Sequence, residues 1–599
     1  MLPTILDLST LRGLYASEGL TPVALAEAIA DRMEAYADPA VFITRVGRQA
    51  LVAAAKDLME RHPEPNSLPL WGMPFAVKDN IDVAGLATTA ACPEFTYTPS
   101  ADAVVVARLK AAGALVTGKT NLDQFATGLN GTRSPYGAPR SVFSSEHISG
   151  GSSSGSAVAV AAGLASFSLG TDTAGSGRVP AAFNNLVGIK PTPGSLSTTG
   201  LVPACRSLDC ISIFAATIGD GLGIRRIAEG FDPKDAFSRK AVPHPLPAAG
   251  LRVGVLTPEE REFHGNGGVE ALYDAAIARL AEFGAVAVPF DYAPFRETAA
   301  LLYQGPWVAE RMAAVEAFHA DHPEALDPSV RAIVESATGY SAVDAFRGLY
   351  DLEALRRRTE AEFAKVDILL LPTTPTTYTV AAMQAEPIRL NSHLGHYTNF
   401  ANLLGYAAIA IPAGFGPDGL PGGVTLVGPG FSDDALGHLA DALHRAAEPG
   451  MGIDRHVALP EASIVPAPAP DTVPIVVVGA HLSSLPLNHQ LVELGGTLLR
   501  AARTAADYRL YALPGTKPAK PGLVRDPGFA GPGLAVEVWG LSPAAFGRFA
   551  AAIPAPLGIG KITLEDGSAV SGFLCEAHAL KGAEEITAHG GWRAYLAAS

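Results

Sequence analysis

Residues 165–180 read ASFSLGTDTAGSGRVP. The mostly apolar run Ala165 to Leu169 predicts a buried strand. Small residues at 174–177 then allow a tight turn that presents consecutive backbone N–H groups. Beside the hydroxyl of Ser176, such a turn can cradle a developing oxyanion. Upstream, residues 150–163 read GGSSSGSAVAVAAG. Small residues let that backbone approach a ligand before an apolar helix begins. A Gly/Ser linker is the alternative, but so short a linker does not normally run straight into a buried apolar helix. Further upstream, WGMPFAVKDNID at 71–82 places Lys78 at the end of an apolar run. An amine taken out of water there holds its proton less well and can act as a neutral base. The competing reading is a lysine paired with Asp79 or Asp82.

Outside this core, helical and strand-like patterns alternate. Residues 103–112 read as a helix and 114–117 as a buried strand. Val269, Leu272, Ala276, Leu280 and Phe283 recur at helical spacing before the strand-like 286–288. Short apolar runs follow at 368–371, 408–411 and 424–427, and Ser432 and Asp433 are placed to cap a helix reaching about His444. This alternation predicts an α/β domain with a mixed central sheet covered by helices. Residues 460–474 alternate Pro and Ala, which favours an extended spacer. The division is therefore 1–459, a linker at 460–474, and a second domain at 475–599. Strand-like runs at 475–478, 535–539, 560–564 and 569–574 make the smaller domain α+β with a barrel-like sheet.

The chain has 599 residues, 48% hydrophobic and 17% charged, with a net charge of −15. That composition supplies a large core, and the acidity argues against a nucleic-acid binder. Cys92, Cys205, Cys210 and Cys575 form no CxxC pair, which argues against a disulfide framework and a structural metal. No apolar run reaches the roughly 20 residues of a membrane span, and no leader pattern opens the chain. The expectation is a cytoplasmic protein without cofactor, metal, nucleic-acid or membrane partner.

Two motifs are rejected. Residues 113–120, GALVTGKT, match a P-loop, but the interior favours a strand and a helix precedes it where a strand should. Residues 151–155, GSSSG, match a nucleophile elbow, but the polar stretch before them is not the apolar strand an elbow requires.

The three segments together resemble the amidase signature family, whose pattern joins PxxVKDN, GGSSxGS and GTDxxGSxRxP. Ser152 and Ser176 stand 24 apart, as that pattern requires, and the resemblance spans about residues 20–450. Residues 117–125 match a further family segment, which explains the false P-loop. Ser154 stands where the family has glycine. The resemblance implies a Lys78, Ser152, Ser176 triad for amide hydrolysis. It also implies an oxyanion site made by the N–H groups of Thr173, Ala174, Gly175 and Ser176.

Residues 302–311, LYQGPWVAER, and residues 479–491, GAHLSSLPLNHQL, further resemble the allophanate hydrolases. This resemblance implies that Arg311 and Tyr303 grip the substrate carboxylate and that Gly128 lines the pocket. It implies a second domain of the gamma-glutamylcyclotransferase-like type, in which His481 promotes decarboxylation. Glu576 is a weaker candidate for that step. A homodimer, and a functional link to a urea carboxylase or a biuret-producing enzyme, are also implied. The rivals are the amidase component of a tRNA-dependent amidotransferase, which has no place for residues 475–599, and an inactive scaffold used for binding.

Overall fold

The computed structural model describes residues 2–17, 19–247, 250–461 and 473–598. The chain divides into two compact units, Met1–Val465 and Pro466–Ser599. Most of the expected linker, 462–472, lies outside the described residues.

The first unit is built on an 11-stranded mixed sheet. Its strands lie in the order Phe42–Arg45, Leu115–Thr120, Pro74–Lys78, Phe167–Asp172, Cys210–Ala215, Val187–Lys190, Ala407–Phe415, Pro421–Gly428, Ile368–Pro372, Arg252–Leu256 and Val286–Phe290. The chain crosses and recrosses the sheet, so residues far apart in sequence become neighbours at strand ends. Pro74–Lys78 runs parallel to both Leu115–Thr120 and Phe167–Asp172, with Val77 opposite Lys119 and Leu169. Phe75 and Phe167 are register partners and stack at 5.1 Å, which pins the two strands together. Lys78 and Thr171 consequently emerge at the same carboxyl-terminal edge, where sheets of this kind present ligand sites.

Helix Ser154–Ala161 is buried throughout and leads from the Gly/Ser loop into the core. Only small side chains allow this: a Cβ on Gly155 would stand 2.1 Å from the Val41 carbonyl oxygen. The rejected P-loop is the strand Leu115–Thr120. Ser432 does occupy the N-cap position of helix Asp433–Ala447, but its hydroxyl caps nothing and donates to Pro429 O at 2.7 Å. The Asp433 carboxylate instead accepts from Thr192 N–H and its hydroxyl, stapling that helix to a distant loop.

The second unit has a five-stranded sheet in the order Thr497–Arg503, Ala535–Leu541, Val473–Val477, Ala569–Cys575, Leu557–Thr563, beside a three-stranded sheet. Its own core gathers Ile475, Leu510, Trp539, Phe549 and Phe573. Among the described residues no helix is long and apolar enough to cross a membrane.

Candidate active site

Lys78 is fully buried, with Nζ 2.7 Å from Ser152 Oγ and 2.6 Å from Thr171 Oγ1. Burial draws its ammonium down to about 7, against the opposing pull of the Asp123, Asp209 and Asp172 carboxylates. Neither expected rival partner neutralises it. The Asp79 carboxylate pairs with Lys119, and Asp82 accepts from Thr88 and Tyr97 hydroxyls.

Ser152 sits in a loop shaped by Asp123. The Gly151–Ser152 peptide is cis, and the Ser152 carbonyl accepts from Asp123 N–H at 3.1 Å. The Asp123 carboxylate in turn accepts from the N–H groups of Asn130, Gly131 and Arg133. It packs so closely that a Cβ on Gly151 or Gly128 would meet it at 2.2 or 2.5 Å. Ser153, the rejected elbow serine, exchanges hydrogen bonds with the Thr171 backbone and is committed to structure.

Ser176 is buried, and its hydroxyl donates to Gly128 O at 3.4 Å rather than to Ser152. The turn carrying it is clamped by Asp172. That carboxylate accepts from Gly175 N–H at 2.8 Å, Gly177 N–H at 3.1 Å and Arg178 Nε at 2.8 Å. The Gly175 N–H therefore points at Asp172 and is not free for a ligand. Among the described residues, no protein acceptor takes the N–H groups of Thr173, Ala174 or Ser176. Gly175 has φ +136°, and a Cβ there would stand 2.4 Å from Thr398 Oγ1. Asn402 completes the frame by donating to Asp172 O and Leu208 O.

Arg311, on helix Trp307–Asp321, is buried. It donates to Thr127 Oγ1 at 3.1 Å and Tyr303 Oη at 3.3 Å, and its Nε is buried without a partner. Thr127 and Gly128 are adjacent, so the Arg311–Tyr303 pair is tied to the residue whose carbonyl holds Ser176. Tyr303 also lines a cavity of about 370 Å3 together with Leu129, Arg133, Asn391 and His396.

The structure thus brings Lys78, Ser152 and Thr171 into direct contact, and joins Ser176 to Gly128 and Arg311 to Tyr303. The sequence reading gives no role to Thr171, Asp172, Arg178, Asp123 or Thr127, although the first three are fixed letters of the family pattern. Three of these stand inside the 165–180 stretch, where the turn reading hides the clamp within it. His481 lies in the second unit with Nε2 2.9 Å from Gln490 Oε1 and its ring stacked on Phe573 at 5.2 Å. Burial lowers its pKa, opposed by the Gln490 hydrogen bond. Glu576 is exposed and faces His578 at 3.2 Å.

A buried amine against one hydroxyl, a second buried hydroxyl, and backbone N–H groups without a protein acceptor among the described residues form an arrangement able to carry acyl transfer through a serine. The chain belongs to the amidase family: the family model named Amidase matches residues 24–436, and that of the allophanate hydrolase C-terminal domain matches 473–597. A urea amidolyase from Lachancea kluyveri is 46% identical over 92% of this chain, but this chain spans only 31% of that protein. The solved allophanate hydrolase of Kluyveromyces lactis is 39% identical, with 99% of each chain covered and a TM-score of 0.81. The A-subunit of glutamyl-tRNA(Gln) amidotransferase from Carboxydothermus hydrogenoformans is 36% identical over 72% of this chain and 94% of its own.

Proposed function

We propose that this protein hydrolyses allophanate, a urea with a carboxylate on one nitrogen, to ammonia and N-carboxycarbamate. The observation that carries the reading is the buried Arg311 guanidinium. With Tyr303 beside it and Thr127 linking it to Gly128, it offers an anion grip next to the Ser176 hydroxyl. An amidotransferase role would explain the first unit alone and leave the second without a purpose.

In this reading neutral Lys78 accepts the Ser152 proton while Ser152 accepts that of Ser176. The Ser176 oxygen attacks the terminal ureido carbon, and the resulting oxyanion is held by the N–H groups of Thr173, Ala174 and Ser176. The C–N bond breaks, ammonia leaves with the relayed proton, and water then releases the dicarboxylate. Gly175 serves by holding the turn to Asp172. To meet Ser152 the Ser176 hydroxyl must turn away from Gly128 O, a movement assigned to substrate binding, since catalytic contacts commonly tighten only in the complex. Arg311→Lys keeps the charge but loses the two-pronged donor, so kcat/KM should fall about 10²-fold, mostly through KM. Unchanged kinetics would remove Arg311 from the site.

His481 is proposed to promote loss of CO2 from the N-carboxycarbamate, which should accumulate when His481→Ala is supplied with allophanate; unchanged CO2 release would remove it. An enzyme that carboxylates urea, or one that produces biuret, would stand upstream of this substrate. We further propose a cytoplasmic homodimer. Helix Ala342–Phe363 exposes Val343, Phe346 and Tyr350 at helical spacing, an apolar face that a second copy would cover. A monomer by sedimentation would overturn that part.

A further inference from the structure

Gly128 O faces the Ser176 hydroxyl at 3.4 Å, and what aims that carbonyl is the other end of its own peptide group. The Gly128–Leu129 bond is trans, so its C=O and the Leu129 N–H lie in one plane and point in opposite directions. The Leu129 N–H donates to Asn391 Oδ1 at 2.8 Å, and fixing the N–H fixes the carbonyl. Asn391 stands on the short helix Arg389–Leu394, is buried, and lines the same cavity as Tyr303. Its Oδ1 also accepts from Asn130 Nδ2 at 2.8 Å, so both lone pairs are committed and the side-chain amide is held in one orientation.

Other contacts anchor the chain on either side of this peptide. Arg133 donates to both Thr127 O and Pro387 O, and Asp123 accepts from the Asn130 and Gly131 N–H groups. The Leu129 side chain belongs to one apolar cluster with Leu390 and Leu394. The segment therefore stays in place without Asn391, but its 128–129 peptide plane loses the bond that sets its rotation.

When the Ser176 hydroxyl turns to Ser152, Gly128 O gives up its donor, and a buried carbonyl calls for another. The carbonyl faces the attacking oxygen, so the group brought within its reach is the –NH2 on the carbon under attack. An amide nitrogen must take a proton on its lone pair before the C–N bond breaks and ammonia departs. Holding one of its N–H groups fixes where that lone pair points.

We propose that Asn391 is a positioning residue for the leaving group: through the Leu129 N–H it holds Gly128 O where the carbonyl accepts an N–H of the departing –NH2. The inference rests on the amide hydrolysis proposed for this site and adds to it a recognition of the leaving nitrogen.

The test compares two anions that share the malonyl group. Malonamate loses ammonia, whereas monomethyl malonate loses methanol and offers no N–H. Both give the same acyl-enzyme, and kcat/KM reports the steps up to the first irreversible one. In the full-length protein Asn391→Leu should lower the amide-to-ester ratio of kcat/KM at least about tenfold, which is about 1.4 kcal/mol. Asn391→Asp keeps an acceptor at the same place and should restore the ratio, while its charge weakens binding of both anions alike. A merely structural loss lowers both activities together, and an unchanged ratio in Asn391→Leu would overturn the inference. A wild-type protein that leaves malonamate intact would overturn it as well. A ratio that falls as expected, in a protein that releases no ammonia from allophanate, would sink the substrate reading and leave the role of Asn391 standing.

Discussion

The Asp79 carboxylate lies 3.0 Å from Lys119 Nζ, although its neighbour in the chain is Lys78. Side chains of successive strand residues point to opposite faces, so Asp79 turns from Lys78 toward the adjacent parallel strand, where Lys119 stands opposite Val77. The nearest acid in sequence is thereby spent on a different buried lysine, and Lys78 keeps only hydroxyl partners. Removing one member of a buried pair leaves an uncompensated charge. Lys119→Met should therefore cost about 3–5 kcal/mol of stability, measured by denaturant unfolding. Lys119→Met with Asp79→Leu should recover most of that loss. A single variant as stable as wild type would show that the pair does not govern this region.

The same separation sets a pH dependence. In the proposed mechanism the base must be unprotonated, and burial holds Lys78 at about 7, below the usual lysine range. The neutral fraction then grows as pH rises. kcat/KM should climb close to tenfold per unit below about 7 and level off above it. Lys78→Met should lose about 10²–10⁴-fold in rate and gain in melting temperature, because a buried amine is replaced by an apolar chain of similar length. A flat profile across that range would contradict the assignment.

Asp172 ties the turn to its strand. Asp172→Asn would leave the buried Arg178 guanidinium without its charge partner and put an N–H2 group against the Gly175 or Gly177 N–H. A loss of about 3–5 kcal/mol is expected, with a fall in kcat that exceeds the fall in folded protein. A variant with full kcat per folded molecule would separate the clamp from the oxyanion site.

Much of this architecture is legible in the sequence because it follows from local pattern. The strands expected at 368–371, 408–411 and 424–427 are present as Ile368–Pro372, Ala407–Phe415 and Pro421–Gly428, the last two extended by several residues where cross-strand pairing continues. The strand expected at Ala165–Leu169 runs instead from Phe167 to Asp172, since its pairing with Cys210–Ala215 carries on through Gly170. What pattern does not reveal is where a hydrogen bond goes. Four consecutive N–H groups at 173–176 look equivalent in sequence, and only the fold shows that the third is held by Asp172. Likewise, the capping signal at Ser432 is real in position, but its hydroxyl and the Asp433 carboxylate serve other partners. Tyr303 and Arg311 have ordinary helix neighbours, and the Arg311 contact with Thr127 joins positions 184 apart in the chain.

The most direct test of the central claim is ammonia release from allophanate by purified Ser176→Ala, compared with wild type at equal folded concentration. Rapid release by the wild-type protein is expected, with none above background from a variant whose melting curve is unchanged. Near-wild-type release from Ser176→Ala would contradict the account.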